Sequence, residues 1–238
     1  MPEISIIKRP SETRGKTSFD WLESKHSFSF GDFYDPEHIG FSTLRIMNED
    51  TVAGGAGFGM HPHHSMEIFS YVISGTLLHE DSLGNRRTVN EGEFQYMSAG
   101  SGVMHSEINA SDTEPVHFLQ FWIEPDQAGG TPIYAEMDPG QRSSDDGLTL
   151  LASNNGRDES LMARQDVTIW LGRLKANQSC LVESELGGKN FWVQVTEGDL
   201  ELGENQEFLL SGDGAAVGSE GSFRITANEK SEFIVIEL

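Results

Sequence analysis

The sequence predicts an all-β protein made of two halves of one type. Three observations support this. Short runs of β-branched and aromatic residues are separated by Gly, Asn and Asp, few segments have a helical period, and the chain contains a weak internal repeat. Runs this short and closely spaced are typical of a sandwich or a barrel. The clearest runs are Glu67–Ile73, Glu93–Met97, Val116–Ile123, Val167–Leu171, Asn190–Val195 and Phe233–Leu238.

The internal repeat relates the two halves. Val72–Leu77 resembles Val195–Leu200, and a further glycine follows at Gly92 in one half and Gly212 in the other. Both halves are rich in predicted strands and similar in length. We therefore expect two domains of the same architecture.

The boundary between the halves is predicted from composition. The segment 125–160 is rich in Gly, Pro, Asp, Ser and Asn, with one weak strand at Leu148–Leu151. The expected organisation is an N-terminal domain over residues 1–130, a connecting segment over 131–160, and a C-terminal domain over 161–238.

Composition restricts the classes of function. The 238 residues have a formal net charge of −22, and the 16 basic residues are scattered among 38 acidic ones, so direct nucleic-acid binding is not expected. No apolar stretch approaches the length of a membrane span, and the N-terminus lacks the pattern of a secretory signal. The single cysteine, Cys180, allows no intramolecular disulfide. We expect a cytoplasmic protein and favour a monomer.

All eight histidines lie in the first half, and none follows His117. If the halves are repeats, only the first retains transition-metal ligands. The repeat places Ile225 and Ala227 of the second half near the positions of His105 and Glu107.

The segment His61-Pro62-His63 can direct two imidazoles to one ion, because residues two apart in a strand point to the same face. His64 then points away and is not expected to be a ligand. Pro62 has no N–H for a sheet, so the strand is expected at an edge or beside a bulge.

The segment His105-Ser106-Glu107 offers a second pair by the same rule. Two such strands supply three nitrogens and one carboxylate, a donor set that suits iron, zinc, copper, nickel or manganese better than calcium or magnesium. The alternative is that these are half-buried histidines with hydrogen-bonded partners. The presence of both pairs within about fifty residues favours a metal site.

The first pair lies in a pattern that resembles the first motif of the cupin superfamily. The pattern is Gly55-x5-His61-x-His63-x3-Glu67, with the following glycine one residue later than usual.

The second pair lies in a pattern that resembles the second cupin motif. It comprises Gly92 and then Gly102-x2-His105-x3-Asn109. The proline that usually stands between these glycines is absent, and the glycines lie further apart than usual. These departures are similar to the pirin branch, which uses HPH in the first motif and HSE in the second.

The resemblance to pirin-like proteins covers nearly the whole chain and is most specific in the first half. Besides the two motifs, it includes Trp21–Phe30, Tyr34–His38, Phe58–His63, Met66–Ile68, His79–Asn85, Met97–Gly100, Val103–Glu107, Glu114–Gln120, Trp192–Val195 and Gly212–Ala216.

The resemblance implies two cupin jelly-roll barrels in one chain, with one metal in the N-terminal barrel. The family's ligand pattern maps onto His61, His63, His105 and Glu107. Glu67 is the rival carboxylate, because other cupins use the glutamate of the first motif, and strand parity with His63 does not exclude it.

The resemblance also implies a function. Pirin and some bacterial relatives are associated with quercetin 2,3-dioxygenase activity, which predicts a flavonol-like substrate, dioxygen, and Glu107 as the catalytic base. The expected cofactor is one divalent transition metal. Iron(II) is favoured, and zinc, copper, nickel, manganese and cobalt are compatible. The main alternative is a non-enzymatic regulator that binds a protein partner in a metal- or redox-dependent way. A cupin isomerase or sugar-binding module fits the motif spacing less well.

Overall fold

The computed structural model describes residues 4–141, 147–187, 190–203, 207–219 and 221–238. It is 59% strand. The described residues contain no α-helix, only three short 3₁₀ helices, so the all-β prediction is confirmed. Within these ranges, no helix is long and apolar enough to cross a bilayer. The 3₁₀ helices are Ser11–Thr13, Pro139–Gln141 and Arg157–Glu159.

The described residues form 22 strands, numbered here in chain order. They are β1 (Ser5–Arg9), β2 (Gly15–Phe19), β3 (Leu22–His26), β4 (Leu44–Val52), β5 (Gly57–His63), β6 (Glu67–Ser74), β7 (Thr76–Asp81), β8 (Arg86–Asn90), β9 (Phe94–Ser98), β10 (Val103–Asn109), β11 (Val116–Ile123), β12 (Ile133–Met137), β13 (Leu148–Ser153), β14 (Leu161–Met162), β15 (Thr168–Leu174), β16 (Ser179–Glu183), β17 (Asn190–Glu197), β18 (Asp199–Leu202), β19 (Glu207–Leu210), β20 (Gly214–Gly218), β21 (Ser222–Ala227) and β22 (Ser231–Glu237).

Two compact units share these strands: Gly15–Gly140, and Met1–Arg14 together with Gln141–Leu238. The first unit has a seven-stranded sheet in the order β12-β9-β6-β11-β4-β3-β2 and a four-stranded sheet in the order β5-β10-β7-β8. The second has the orders β1-β20-β17-β22-β15-β13-β14 and β16-β21-β18-β19. The two sets of orders correspond position for position, as the internal repeat predicts, although β14 pairs parallel with β13 whereas β2 pairs antiparallel with β3.

The units differ from the sequence-based boundaries in two places. Strand β1 pairs with β20, so the start of the chain belongs to the second unit and not to the first. Strand β12 pairs with β9, so residues assigned to a connection are an outer strand of the first unit. Both differences come from long-range strand pairing, which composition does not reveal. Residues 142–146 of the expected connection lie outside the described residues.

Different cores fill the two units. One large cluster of buried apolar side chains occupies the second unit. Among the described residues of the first unit, smaller clusters surround Phe118 and Met97. Polar side chains, including Gln95, Gln120 and Glu107, are also buried in the first unit. This is where the candidate site lies.

Candidate metal centre

Strands β5 and β10 hold the two predicted ligand pairs next to each other. His61 is the cross-strand partner of His105, while Glu107 lies opposite Phe58, so the register shifts between His105 and Glu107. Two residues of β5 therefore oppose one residue of β10, which is a β-bulge. Strand β5 is also the edge of its sheet. Both features expected from Pro62 are confirmed.

The three predicted histidines meet on one face of this strand pair. The ligand nitrogens of His61, His63 and His105 lie within 4.8 Å of one another. The Nε2 atoms of His61 and His105 are 3.1 Å apart. Nitrogens that each lie about 2.1 Å from one ion at a right angle are separated by roughly 3 Å. The spacing fits shared coordination of one ion.

The hydrogen bonds of these rings also fit metal binding. His61 Nδ1 lies 2.7 Å from the carbonyl oxygen of Gly59 and donates to it, which leaves Nε2 with its lone pair. His63 Nε2 is buried and has no hydrogen-bond partner among the described residues. A buried polar atom without a partner is costly unless another group satisfies it. An ion bound by this nitrogen would do so.

Glu107 is fully buried beside His105. Its Oε1 accepts hydrogen bonds from Gln95 Nε2 at 3.1 Å and Ser70 Oγ at 3.3 Å. Its Oε2 accepts one from Gln120 Nε2 at 2.5 Å. A carboxylate oxygen has two in-plane lone pairs, so Oε1 is saturated and Oε2 keeps one lone pair. Glu107 can therefore offer a single oxygen to an ion.

The four predicted ligands do not form one tight group. Glu107 and His105 belong to a second group with His79, in which the ligand atoms again lie within 4.8 Å of one another. His105 is common to both groups, whereas Glu107 is not grouped with His61 and His63 at this spacing within the described part of the chain.

The protonation of the site favours neutral imidazoles and an ionised carboxylate. Burial, together with the neighbouring histidines, lowers the pKa of His63 to about 4. Burial, opposed by Glu107 and reinforced by His61, lowers the pKa of His105 to about 4. Burial alone would raise the pKa of Glu107, but His105 and the Gln120 hydrogen bond outweigh it and hold that pKa below its usual range. These are the protonation states that a metal requires.

His79 has more contacts with the site than its sequence indicates. It is fully buried on β7, opposite Glu107 in the strand register. Its Nε2 lies 3.1 Å from Asp81 Oδ2, and its ring stacks on Tyr134 with centroids 4.4 Å apart. His79 therefore packs beside two of the predicted ligands, since its ring centroid also lies 5.3 Å from that of His105.

The remaining histidines near the motifs lie elsewhere. His64 is exposed and follows the end of β5. His117 Nε2 lies 3.0 Å from Glu49 Oε1. Neither belongs to a metal-compatible group of the described residues.

The rival carboxylate, Glu67, points away from the histidines. It accepts hydrogen bonds from the hydroxyl of Tyr96 and, at 2.7 Å, from Ser98 Oγ. Glu67 and Ser70 are three residues apart on β6, so their side chains lie on opposite faces of the sheet. Since Ser70 faces Glu107, Glu67 faces the other side. Parity with His63 was uninformative because the two residues lie in different sheets.

A cavity of about 530 Å³ opens onto the site. Its size lies in the range of small-molecule pockets. Its wall includes His61, His63 and Glu107. The aromatic residues of the wall are Phe19, Trp21, Phe30, Phe58 and Trp122, and its other polar residues are Thr17, Ser24, His26, Asp32, Asn48, Asp50 and Gln120.

Sequence reasoning missed Gln120 and Asn48. Gln120 donates to Glu107, and its Oε1 accepts from Trp122 Nε1 at 3.1 Å. The available signal was a polar residue at an inward position of an otherwise apolar strand, as in the run Val116–Ile123. Asn48 occupies a similar position in β4, where it is almost fully buried.

Comparison with protein families identifies both units. The pirin family model matches residues 8–123, and a model described as the quercetinase C-terminal cupin domain matches residues 150–238. The chain is 41% identical to quercetin 2,3-dioxygenase of Escherichia coli K12 over 236 residues, which cover 98% of each protein.

Solved structures agree with this grouping. Bacterial pirin YhhW from Escherichia coli, in complex with nickel(II), is 38% identical, with a TM-score of 0.91 and coverage of 98% of this chain and 99% of that chain. A quercetin 2,3-dioxygenase from Acinetobacter baumannii shares the fold at 19% identity, with a TM-score of 0.77 and coverage of 98% and 84%.

Proposed function

Because the chain belongs to the pirin family, we propose that it is a metal-dependent dioxygenase that cleaves quercetin or a related flavonol with dioxygen. The observation that carries this proposal is a group of three histidines, two of which line a cavity together with a buried glutamate. The name of the relative from Escherichia coli supports the substrate class.

In this proposal His61, His63, His105 and Glu107 hold one divalent transition ion. The nickel complex of the related pirin supports a divalent ion, and iron(II) remains our choice among several compatible metals. The chemistry that such an ion supplies when bound is Lewis acidity, which lowers the pKa of a flavonol hydroxyl group.

Glu107 is the residue that accepts the hydroxyl proton. Three hydrogen-bond donors fix its carboxylate, and only Oε2 retains a lone pair toward the site. This oxygen binds either the ion or the proton, and not both at once, so Glu107 would move partly off the ion before it accepts the proton. The lowered pKa of Glu107 keeps the carboxylate ionised at neutral pH but makes it a weak base. Deprotonation therefore depends on a hydroxyl that is already acidified.

The aromatic wall orients the substrate and limits water. Trp122 lies edge-on to His63 with ring centroids 4.8 Å apart, and its indole N–H is held by Gln120. Phe58 contributes a further ring beside Trp21. A planar flavonol held between such rings would present its hydroxyl to Glu107 while dioxygen reacts, the heterocycle opens and carbon monoxide leaves.

The test begins with elemental analysis of anaerobically purified protein, followed by oxygen uptake with quercetin. We expect close to one metal per chain and oxygen consumption that matches quercetin loss. His63→Ala should lose both metal and turnover. His64→Ala is the matched control, because it removes an adjacent, exposed imidazole that is outside the site.

Full quercetin turnover by a metal-free His63→Ala protein would refute the dioxygenase proposal. Metal-loaded wild-type protein that consumes neither oxygen nor any flavonol would also refute it. In that event, metal-dependent capture of a protein partner would be the next measurement, since the regulator hypothesis requires it.

A further inference from the structure

A row of polar side chains crosses the inner face of the seven-stranded sheet of the first unit. We call it the polar row. Its members are direct cross-strand neighbours on five adjacent strands: Gln95 on β9, Ser70 on β6, Gln120 on β11, Asn48 on β4 and His26 on β3. Five buried polar residues in register are unusual in a sheet interior, which is normally apolar. Such a row therefore indicates a functional role.

The first half of the polar row is explained by Glu107. Gln95, Ser70 and Gln120 all donate to its carboxylate. Asn48 and His26 make no hydrogen bond to Glu107. Strands lie about 4.8 Å apart, so these two residues are roughly 5 and 10 Å beyond Gln120.

Asn48 has an unused donor in the cavity wall. Its Oδ1 lies 2.8 Å from His26 Nδ1, which donates to it, and His26 Nε2 accepts from Thr17 Oγ1 at 2.9 Å. His26 is thus held in one tautomer by two partners. The Nδ2 group of Asn48 has no hydrogen-bond partner among the described residues, although the residue is only 3% exposed and lines the cavity.

Acceptor groups lie beside this donor. Asp50 follows Asn48 at the next inward position of β4, is also 3% exposed, and lines the cavity. Ser24 donates a hydrogen bond to Asp50 from the neighbouring strand. The wall therefore presents an amide donor and a carboxylate acceptor to the same side of the cavity.

Aromatic pairs flank the polar row along the strand direction. Trp122, two residues beyond Gln120, packs edge-on against Phe30 with centroids 5.8 Å apart. Toward the other end, Trp21 packs edge-on against Phe58 at 5.3 Å. Polar groups at fixed points between aromatic side chains suit a flat ring system that carries hydroxyl groups.

We propose that Asn48 and Asp50, positioned by His26 and Ser24, form a recognition subsite for the hydroxylated pendant ring of a flavonol. This inference rests on the proposed function and adds its substrate specificity. Asn48 Nδ2 donates to one ring oxygen and Asp50 accepts from a ring hydroxyl. Asn48 lies one strand, roughly 5 Å, beyond Gln120, which is the side where a pendant ring attached next to the hydroxyl that faces Glu107 would lie. An unhydroxylated ring would leave the Asn48 donor unpaired, which makes this subsite selective.

The experiment compares two ligands and measures binding without turnover. Metal-loaded protein is titrated anaerobically with quercetin, whose pendant ring carries two hydroxyls, and with the analogue that lacks both. Wild type should bind quercetin at least about tenfold more tightly than the analogue. Aerobic kinetics with both ligands then separate KM from kcat, and the preference should appear in KM.

Two nearly isosteric variants test the subsite. Asn48→Asp keeps the acceptor for His26 and removes the donor, while Asp50→Asn keeps a partner for Ser24 and removes the charge. Each should reduce the preference to within about threefold. Glu49→Gln is the control, because Glu49 lies between them on β4 and contacts His117 on the opposite face. It should retain the wild-type preference. Metal content and circular dichroism verify that each variant is folded.

The outcomes separate the two proposals. Equal affinity of wild type for both ligands, or an unchanged preference in both variants, would overturn the subsite even if quercetin is turned over. If both variants lose the preference for quercetin and the wild-type protein shows no turnover, the subsite is supported and the dioxygenase proposal is refuted.

Discussion

The polar row of the first unit has an apolar counterpart in the second. The amide of Gly92 donates to Val72 in one unit, and that of Gly212 donates to Val195 in the other, which aligns β6 with β17. Strand pairing then extends the alignment across each sheet. The residues that replace Gln95, Ser70, Gln120, Asn48 and His26 are Ala215, Val193, Val235, Trp170 and Leu150.

The metal ligands have apolar counterparts as well. Ala110 donates to the carbonyl of Thr76, and Asn228 donates to that of Asp199, which aligns β10 with β21. Phe223 and Ile225 thus occupy the positions of His105 and Glu107, two residues earlier than the sequence repeat indicated with Ile225 and Ala227. The side chains at both matched positions are apolar, and the register is shifted by two residues from the one that the repeat indicated.

The comparison shows that one arrangement of strands supports two kinds of interior. In the second unit, the side chains at these positions join a single apolar cluster. In the first, a cavity and a hydrogen-bonded carboxylate take their place, at the expense of close packing. The difference lies in side chains at matched positions, so substitution can test it directly.

The largest expected effect is a loss of metal binding when two ligands of the first unit are replaced by the apolar residues found at the matched positions of the second. His105→Phe combined with Glu107→Ile should abolish metal binding and reduce any turnover by more than about a hundredfold, because two of four ligands are lost. The chain should still fold but with reduced stability, because Ser70, Gln95 and Gln120 lose the acceptor of their hydrogen bonds, and each buried donor left unpaired costs about 1–3 kcal/mol. Elemental analysis measures the metal content, and calorimetry measures the stability of the fold. Stoichiometric metal in this variant would show that the ligands are elsewhere.

A smaller effect is expected from Gln120→Val, which copies Val235. Loss of the hydrogen bond to Oε2 leaves Glu107 poorly oriented and should raise its pKa. We expect metal affinity to fall about 10- to 100-fold, as measured by competition with a chelator. Gln194→Val is the control, because this buried glutamine of the second unit donates only to backbone carbonyls of Gly212 and Asp213. Equal losses in both variants would contradict a specific role for Gln120.

Glu67→Gln should change stability and leave metal binding intact. The substitution places an amide against the hydroxyl donors of Tyr96 and Ser98 and should cost about 1–3 kcal/mol in free energy of unfolding. Denaturant unfolding and elemental analysis measure the two quantities. Loss of metal without loss of stability would instead make Glu67 the carboxylate ligand.

The smallest expected effect is a pH dependence of the metal-free protein. The pKa values of His63 and His105 are about 4 in the folded chain, below the ordinary value of 6.5, so the unfolded chain takes up protons first. Stability should therefore fall as the pH drops from about 6.5 to 4, lowering Tm by a few degrees. The His105→Phe/Glu107→Ile variant should show a flatter curve in this range. Identical curves would contradict the burial of neutral imidazoles.

The sequence revealed those features of the fold and site that depend on short-range patterns. The alternation of side chains along a strand is sufficient to place His61 with His63 and His105 with Glu107. The concentration of histidines in one half likewise locates the candidate site. Spacing of the repeated glycines indicates two similar units.

Features that depend on pairing between distant strands were not predictable. Whether Glu67 or Glu107 lies near the histidines is decided by which sheet each strand joins. The assignment of β1 to the second unit is of the same kind. Asn48 is inconspicuous within its own strand, and its position opposite Gln120 appears only when β4 and β11 are paired.

The bulge in β5 makes the site sensitive to the length of the chain. Phe58 and His61 both line the cavity although they are three residues apart, an odd spacing that a regular strand would direct to opposite faces. In-frame loss of one codon at Gly59 or Met60 would therefore turn either the aromatic ring or the histidine pair outward. A single deletion could thus abolish metal binding in such a barrel during evolution, although the gene would still encode every metal-binding residue.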